Sequence, residues 1–341
     1  MKEYIVLLDP SLSDNEGSAS SNTGDVIISE SITKILQDIF PQMKIVRIST
    51  HSWFGDREKK IIKDAAFTFA GGSNMLSSDI RHFSRLTPEK KKFFYLFPGF
   101  KNVILLGTGW CSYEGEQDIP TRLYYRNILH QRFLNAVRDN YSLNKLKKAC
   151  LRNIVNTSCP TTWNIDPEFI NQFDIKRNKL LFTLTDYEQD PEADSAFIRT
   201  LLALEQRDTI FFPQGSSDLE YLNSLEPYKK NRDRFKFIGN SFPELEQFVK
   251  TNQFNYAGTR LHAGLYSLQS RNPALILSID NRAAEIGKDI LLNVADRKDS
   301  AKITDWLFHG FIPPKLNLPV QNIAAWKNQF AQYNQRNPQQ N

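Results

Sequence analysis

Short apolar runs alternate with longer amphipathic stretches along this chain. An apolar run of about five residues bounded by turn-forming residues is typical of a buried strand, whereas apolar positions three or four apart are typical of a helix with one packed face. The predicted strands span residues 4–9, 44–48, 65–70, 103–107, 136–137 and 153–156, then 180–185, 209–213, 235–239, 254–257 and 274–279. The predicted helices include residues 26–40, 122–133, 193–206, 216–225, 243–250, 261–270 and 283–289.

This strand and helix alternation occurs twice, with a break in its rhythm around residues 166–178. Such alternation predicts parallel sheets with helices on both faces, and 341 residues suit two domains better than one. We therefore predict an α/β fold of two Rossmann-like domains that face each other across a cleft, the arrangement called GT-B. The predicted domains span residues 1–170 and 171–320, and a C-terminal helix with a disordered tail follows over residues 321–341.

Two other segments each have two interpretations. Residues 11–23 are rich in Ser, Asn, Asp and Gly and are long for a βα connection, so they are either a mobile lid or an ordinary surface loop. Near the C-terminus, Ile323, Trp326, Phe330 and Tyr333 recur at helical spacing. We expect that apolar face to dock on the protein core, and the alternative is contact with a membrane.

Composition narrows the class of protein. Hydrophobic residues make up 40% and charged residues 24% of the chain, an ordinary balance for a globular protein with a large core. The net charge of +5 favours phosphorylated substrates or peripheral association with an anionic membrane surface. Because the charge is small and scattered, it does not predict a nucleic-acid partner.

The cysteines and the N-terminal segment indicate a reducing compartment. Cys111, Cys150 and Cys159 lack CxxC spacing, which makes a disulfide framework or a cysteine-built zinc site unexpected. Only five consecutive apolar residues precede Asp9, too few for a signal peptide, and no apolar run approaches the roughly 18 residues that span a bilayer. We expect a soluble, cytoplasmic protein, and no histidine spacing calls for a metal.

The stretch YAGTRLHAG, residues 256–264, is the most unusual local pattern. An apolar run precedes it and a helix-compatible run follows it, which predicts a strand, a tight turn and a helix. Arg260 and His262 would then lie beside the positive end of the new helix, where anionic ligands bind. Taken alone, a histidine such as His262 is more often structural than catalytic.

The segment SNTGD precedes the first predicted helix. Asn22, Thr23, Gly24 and Asp25 are therefore candidate binding residues at the end of the first strand. In the simpler interpretation, Thr23 or Asp25 merely caps the helix.

Two glycine-containing loops follow later strands of the first half. In FAGGSNML, Gly71, Gly72, Ser73 and Asn74 would expose backbone N–H groups, although a tight turn needs the same glycines. In LLGTGW, Thr108 occupies the corresponding position. Neither loop is a Walker motif or a nucleotide-binding GxGxxG, and HExxH and GxSxG are also absent from the sequence.

These motifs occur in a definite order: NTGD, GGS, GTG, VRDNYS, DPEF and finally GTRLHAGLYSLQSRNPALILSIDNR. This order resembles that of the polysaccharide pyruvyltransferase family, in which an N-x-GD loop, a Gly-rich turn, an R-D-x-x-S segment, a D-P element and a G-x-R-x-H motif follow one another. In the family a helix, a proline and a strand come next, and Pro273 and residues 274–279 match them. The resemblance covers about residues 1 to 300.

The resemblance implies that the enolpyruvyl carbons of phosphoenolpyruvate are transferred onto sugar hydroxyls, giving a ketal and phosphate without a cofactor. Arg260 would clamp the donor's phosphate or carboxylate, and His262 would protonate the enol carbon as a general acid. The first domain would bind the acceptor and the second the donor. Asn22, Asp25, Gly72, Ser73 and Thr108 would face the acceptor, with Asp25 either accepting the hydroxyl proton or capping the helix.

The remaining assignments from the resemblance concern cations. Arg138 in VRDNYS is either a ligand-binding residue or the partner of Asp139. Many relatives carry an arginine where this chain reads Leu184-Thr185-Asp186-Tyr187, so Lys288 or Arg138 would have to supply that charge. Arg282 takes the place of a lysine common in relatives.

The expected partner is a saccharide acceptor, lipid-linked or nucleotide-activated, used in exopolysaccharide or capsule assembly at the inner face of the membrane. Two alternatives share the fold. One is a nucleotide-sugar glycosyltransferase that binds a diphosphate through Arg260, and the other is a family member that binds saccharides without catalysis.

Overall fold

The computed structural model describes residues 2–52, 54–80, 99–149, 151–170, 177–204, 208–309 and 316–334. Contacts divide the chain into unit 1, formed by Met1–Ser20, Ile28–Trp163 and Leu318–Asn341, and unit 2, formed by Ser21–Ile27 and Asn164–Asn317. These units differ from the predicted domains, which were divided once, near residue 170. Residues 21–27 belong to unit 2, and the C-terminal segment belongs to unit 1. Cys150, Gln206 and the tail 335–341 lie outside the described residues.

Unit 1 contains a seven-stranded sheet in the order β2-β1-β3-β5-β6-β7, with β4 paired to β5. All of its strand pairs are parallel. Its strands are β1 (Tyr4–Asp9), β2 (Lys44–Ser49), β3 (Thr68–Gly71), β4 (Asn74–Leu76), β5 (Val103–Trp110), β6 (Asn135–Val137) and β7 (Ile154–Asn156). The helices that accompany them are α1 (Thr23–Ile39), α2 (Asp56–Asp64), α3 (Ile119–Ile128) and α4 (Asn140–Lys148).

Unit 2 contains a second parallel sheet, in the order β10-β9-β8-β11-β12-β13. Its strands are β8 (Lys179–Thr183), β9 (Asp208–Phe211), β10 (Phe235–Phe237), β11 (Asn255–Gly258), β12 (Ala274–Ser278) and β13 (Val294–Asp296). Its helices are α5 (Pro167–Ile170), α6 (Pro191–Leu202), α7 (Asp218–Ser224), α8 (Glu226–Lys229), α9 (Phe242–Thr251), α10 (Leu261–Gln269), α11 (Asn281–Ile290) and α12 (Ser300–Phe308).

Burial explains why these strands read as continuous apolar runs rather than alternating ones. All eight residues of β5 are buried, as are the four residues of β11. A parallel sheet covered by helices on both faces hides both sets of side chains. The predicted α/β fold class, with two parallel sheets flanked by helices, is confirmed.

The C-terminal segment forms α13 (Val320–Asn328) and α14 (Ala331–Asn334), which pack on unit 1. Trp326 and Phe330 are fully buried there, and the ring of Phe330 stacks on that of Phe133 with centroids 5.3 Å apart. The apolar face predicted for this segment therefore docks on the core, as expected. Among the described helices, none combines the length and the apolar character needed to cross a bilayer.

The predicted strands all correspond to observed ones, with ends displaced by up to three residues. Two of the described strands, β4 and β13, were not predicted. The long loop before α1 forms a hairpin, in which Ser13 N–H donates to Ser18 O over 2.9 Å and Ser20 N–H donates to Ser11 O over 2.7 Å. A role as a lid stays a prediction.

Candidate functional site

The carboxyl edge of the sheet in unit 2 gathers polar side chains from neighbouring strands. The chain runs from β8 outward to β9 and β10 and then returns to β11 on the other side of β8. Strand order therefore reverses between β8 and β11, and ligands of open α/β sheets bind at such a switch point. The segments 184–187 and 259–262 follow these two strands.

Arg260, two residues after the end of β11, is 5% exposed and bonded to two carboxylates. Its Nε donates to Asp218 Oδ2 over 2.9 Å, and its Nη2 donates both to Asp218 Oδ1 and, over 2.8 Å, to Asp186 Oδ1. Burial lowers the pKa of the guanidinium, but the hydrogen bonds and charge of Asp218, together with smaller effects of Tyr187 and Asp186, raise the pKa above its ordinary value. Burial raises the pKa of the Asp218 carboxyl, against the opposing effect of Arg260.

Asp218, the first residue of α7, accepts hydrogen bonds from backbone groups as well as from Arg260. Besides Arg260, the backbone N–H groups of Gly215 and Asp186 donate to its carboxylate over 2.7 and 3.1 Å. The bidentate geometry expected between Arg260 and a substrate anion is thus already present within the protein, with Asp218 as the anion.

The backbone turn that carries Arg260 depends on Gly258. A β-carbon at Gly258 would lie 2.6 Å from the carbonyl oxygen of Thr183 on β8. The close approach lets Arg260 N–H donate to Thr183 Oγ1 over 3.2 Å, while the hydroxyl of Tyr256 donates to Arg260 O over 2.7 Å. The glycine of YAGTR therefore allows β8 and β11 to meet at the switch point.

His262 lies in the first turn of α10 and is 8% exposed. Arg260, which precedes this helix, provides no side-chain cap. Gln214 acts instead, because its Oε1 accepts a hydrogen bond from Ala263 N–H over 3.2 Å. The amide of Gln214 therefore occupies one of the N–H groups that a helix N-terminus offers to an anion.

The same amide contacts the segment NTGD. Gln214 Nε2 donates to Asn22 Oδ1 over 3.1 Å, and Gln214 O accepts from Thr23 N–H over 3.0 Å. A β-carbon at Gly24 would lie 2.5 Å from Gln214 Nε2. The segment predicted for the first domain is therefore part of unit 2, where it contacts the residue that caps the helix of His262.

The cap of α1 differs from the expectation. Asn22, not Thr23 or Asp25, has the capping geometry, since its Oδ1 accepts from Gly24 N–H over 3.0 Å. Thr23 Oγ1 donates instead to Asn240 O over 2.6 Å, and the Asp25 carboxylate accepts from Asn22 Nδ2 over 3.3 Å. Asp25 is therefore not used as the cap.

Arg282 reaches the same edge of the sheet from α11. Its guanidinium bonds Asp280 and the hydroxyl of Tyr187, and both Arg282 and Arg260 lie against the Tyr187 ring, 5.5 and 5.1 Å from its centroid. Lys288 is not brought to this edge, because it lies exposed in the last turn of α11, roughly 9 Å along the helix axis from Arg282.

A model of the family "Polysaccharide pyruvyl transferase" matches residues 22–281, about three quarters of the chain. The chain belongs to this family. The match begins at Asn22 and ends at Asn281, so it contains both the segment NTGD and the turn of Arg260 and His262. A search of curated proteins found no match.

Three solved structures share the fold of this pyruvyl transferase family member, and two of them are UDP-GlcNAc 2-epimerases. UDP-GlcNAc 2-epimerase of Methanocaldococcus jannaschii, in complex with UDP-GlcNAc and UDP, has a TM-score of 0.58 at 10% identity, over 98% of this chain and 99% of the other. MnaA of S. aureus with UDP has a TM-score of 0.57 at 11% identity, over 96% and 95%. The epimerase of Rickettsia bellii has a TM-score of 0.51 at 12% identity, over 97% and 95%. At such identities the likeness concerns the fold alone.

In unit 1 of this family member, Arg138 is 3% exposed and bonded within the protein. It donates from Nε to Asp139 Oδ2 over 3.0 Å, from Nη1 to Asn74 Oδ1 over 2.6 Å and from Nη2 to Trp110 O over 2.8 Å. Of the two interpretations of Arg138, the structure shows the pairing with Asp139. A ligand-binding role for Arg138 or Asn74 stays a prediction.

Close packing explains why the motif GGS has glycine at both of its first two positions. A β-carbon at Gly71 would lie 2.6 Å from Leu7 Cδ1, and Gly72, at φ +59°, abuts Ile28 of α1. The N–H of Gly72 was expected to be exposed, but it donates to Leu106 O over 2.9 Å. These glycines let α1 approach the sheet closely.

Ser73 and Thr108 lie beside that turn. Ser73 adopts φ +59° and accepts from Gly109 N–H over 3.0 Å, which leads the chain into β4. Thr108 O accepts from Arg138 N–H over 3.1 Å, whereas the buried Thr108 Oγ1 has no hydrogen-bond partner among the described residues.

Sequence reasoning missed Gln214, Asp218 and Asp186. The run Pro213-Gln214-Gly215 directly after a predicted strand was the available signal for Gln214. The carboxylates carried no local signal. Within the described residues, no group of three His, Cys, Asp or Glu side chains is placed to hold a metal ion.

Proposed function

We propose that this chain transfers the enolpyruvyl carbons of phosphoenolpyruvate onto two hydroxyls of a saccharide, forming a pyruvate ketal and releasing phosphate. Family membership supports the reaction class. The observation that carries the proposal is the convergence of the two motifs on Gln214, whose amide bonds both Asn22 and the first turn of the His262 helix.

His262 is the proposed proton donor. It transfers a proton to C3 of phosphoenolpyruvate, which becomes a methyl group and leaves oxocarbenium character at C2. A sugar hydroxyl then adds to C2 and passes its proton to Asp25. Histidine is the side chain most often used for proton transfer in enzymes, so His262 suits this role.

A second hydroxyl completes the ketal. Its oxygen bonds to C2 as the C2–O bond to phosphate breaks, and its proton leaves with the phosphate. Solvent exchange returns the proton from Asp25 to His262. One diol and one phosphoenolpyruvate are thus converted into one ketal and one phosphate, and no redox partner or cofactor is needed.

The proposed acceptor is a lipid-linked or nucleotide-activated saccharide at the cytoplasmic face of a membrane, used in surface polysaccharide assembly. Arg260 and Arg282 would attract the donor's anionic groups to the edge of the second sheet. The mild positive net charge of the chain is compatible with both partners.

Phosphate release from phosphoenolpyruvate, measured with a panel of acceptor saccharides, tests the proposal. We expect acceptor-dependent release that falls about 10²- to 10⁴-fold in His262→Ala, while phosphoenolpyruvate binding persists. The control is His309→Ala, an exposed histidine after α12. Binding of a nucleotide sugar without any binding of phosphoenolpyruvate would favour the glycosyltransferase and contradict the proposal.

A further inference from the structure

The hydrogen bonds of Arg260 leave no complete edge of its guanidinium for a substrate. A guanidinium presents two edges to bidentate acceptors, one formed by Nε with Nη2 and the other by Nη1 with Nη2. Asp218 takes the first edge through both of its oxygens. Asp186 takes Nη2 on the second edge, at 2.8 Å. An anion that binds the second edge must therefore compete with Asp186.

The two carboxylates are held very differently. Asp218 has a fully buried side chain and accepts two backbone N–H bonds besides those of Arg260. The side chain of Asp186 is 25% exposed, and Arg260 is the one hydrogen-bond donor to its carboxylate among the described residues. Asp186 can leave Arg260 for water, whereas removing Asp218 would break several buried bonds at once.

The charges at this edge make the competition significant. Arg260 and Arg282 face three carboxylates, those of Asp186, Asp218 and Asp280. A phosphate group would add further negative charge to a set that is already negative by one. Release of Asp186 into solvent relieves that repulsion and frees Nη2 at the same time.

We propose that Asp186 is an internal competitor for the anionic donor: the phosphate or carboxylate of the donor replaces Asp186 on Arg260, while Asp218 stays in place and holds the guanidinium. This inference rests on the proposed function, because it names a residue that sets donor affinity at that same site. Asp186 acts through Arg260 and does not react with the donor.

The variants Asp186→Asn and Asp186→Ala test the competition, with binding measured by calorimetry on the full chain. The probes are phosphoenolpyruvate and inorganic phosphate. We expect both variants to bind both probes about 10-fold more tightly than the wild type, since each removes the competing charge. In turnover, we expect the KM for phosphoenolpyruvate to fall in both variants without a rise in kcat. A general loosening of the fold would not lower the KM.

The matched control is Asp190→Asn. Asp190 is also partly exposed in unit 2 but pairs with Arg297 and Lys298 rather than Arg260, and asparagine keeps its capping role on α6. Equal tightening in this control would show a general effect of charge and overturn the proposal.

The remaining outcomes separate this inference from the proposed function. Unchanged or weaker binding of both probes by the Asp186 variants overturns the competition, even where the wild type binds phosphoenolpyruvate and turns it over. Tighter binding of phosphate by the variants, with no binding of phosphoenolpyruvate by any form, supports the competition and contradicts pyruvyl transfer. Absence of anion binding by every form overturns both.

Discussion

Gln214 Nε2 donates a 3.1 Å hydrogen bond to Asn22 Oδ1, although 192 residues separate the two in the sequence. The other end of the same amide accepts from Ala263 N–H. One side chain therefore joins the start of α1 to the start of α10. Because Asn22 is itself the cap of α1, the contact positions the whole NTGD segment.

The variant Gln214→Glu tests this coupling. A carboxylate still accepts from Ala263 N–H, but it has no hydrogen to donate and would place an oxygen against Asn22 Oδ1. We expect a loss of about 1–2 kcal/mol in the free energy of unfolding and faster amide hydrogen exchange in residues 23–27 than in α10. The control is Gln131→Glu, whose side chain bonds nearby backbone carbonyls in unit 1. Unchanged exchange in residues 23–27 would show that the contact does not hold the segment.

The variant Gly258→Ala tests the contact at the switch point. A β-carbon would meet both the side chain and the backbone of Thr183, and backbone atoms of a central strand cannot move aside cheaply. We expect a loss of about 1–3 kcal/mol, typical of overpacking, measured by equilibrium unfolding. Gly115→Ala is the control, since nothing lies within 4 Å of a β-carbon there. Equal stability of the two variants would contradict the steric argument.

The local structure around Arg260 was predictable from the sequence, but the residues that pair with Arg260 were not. The strand before Arg260 and the helix after it follow from an apolar run, a glycine and a helix-compatible run that are adjacent in the sequence. The carboxylates that bind Arg260 lie 42 and 74 residues away, and no local pattern encodes such partners. For the same reason the assignment of Asn22 to Asp25 to the first domain differed from the structure, because it followed sequence position rather than contacts.

The variant Arg138→Lys tests whether Arg138 is structural. Lysine cannot reproduce the planar fork that bonds Asp139, Asn74 and Trp110 O, so buried acceptors would lose their donors. We expect unfolding free energy to fall by about 3 kcal/mol, measured by denaturant titration. The control is Arg126→Lys on the exposed face of α3. If stability were unchanged while donor or acceptor binding was lost, Arg138 would be a ligand-binding residue instead.

His130 makes the stability of unit 1 depend on pH. Its Nδ1 accepts from the N–H groups of Arg132 and Phe133 over 3.1 and 3.2 Å. Burial, with the nearby charge of Arg132 as a second cause, lowers the pKa of His130 below its ordinary value. Below about pH 6.5 the unfolded chain therefore binds a proton that the folded chain resists, and stability falls as the pH decreases.

The variant His130→Asn isolates this proton. The Oδ1 of asparagine accepts the same two N–H groups at any pH, so the variant lacks the titrating group and keeps the acceptor. Between pH 7 and pH 5, we expect the wild type to lose on the order of 1 kcal/mol more stability than the variant, the value of the lost acceptor, measured by denaturant unfolding at each pH. His309→Asn is the control, because its exposed pair with Asp305 contributes little. Parallel pH profiles for wild type and His130→Asn would mean that protonation of His130 costs the folded state nothing.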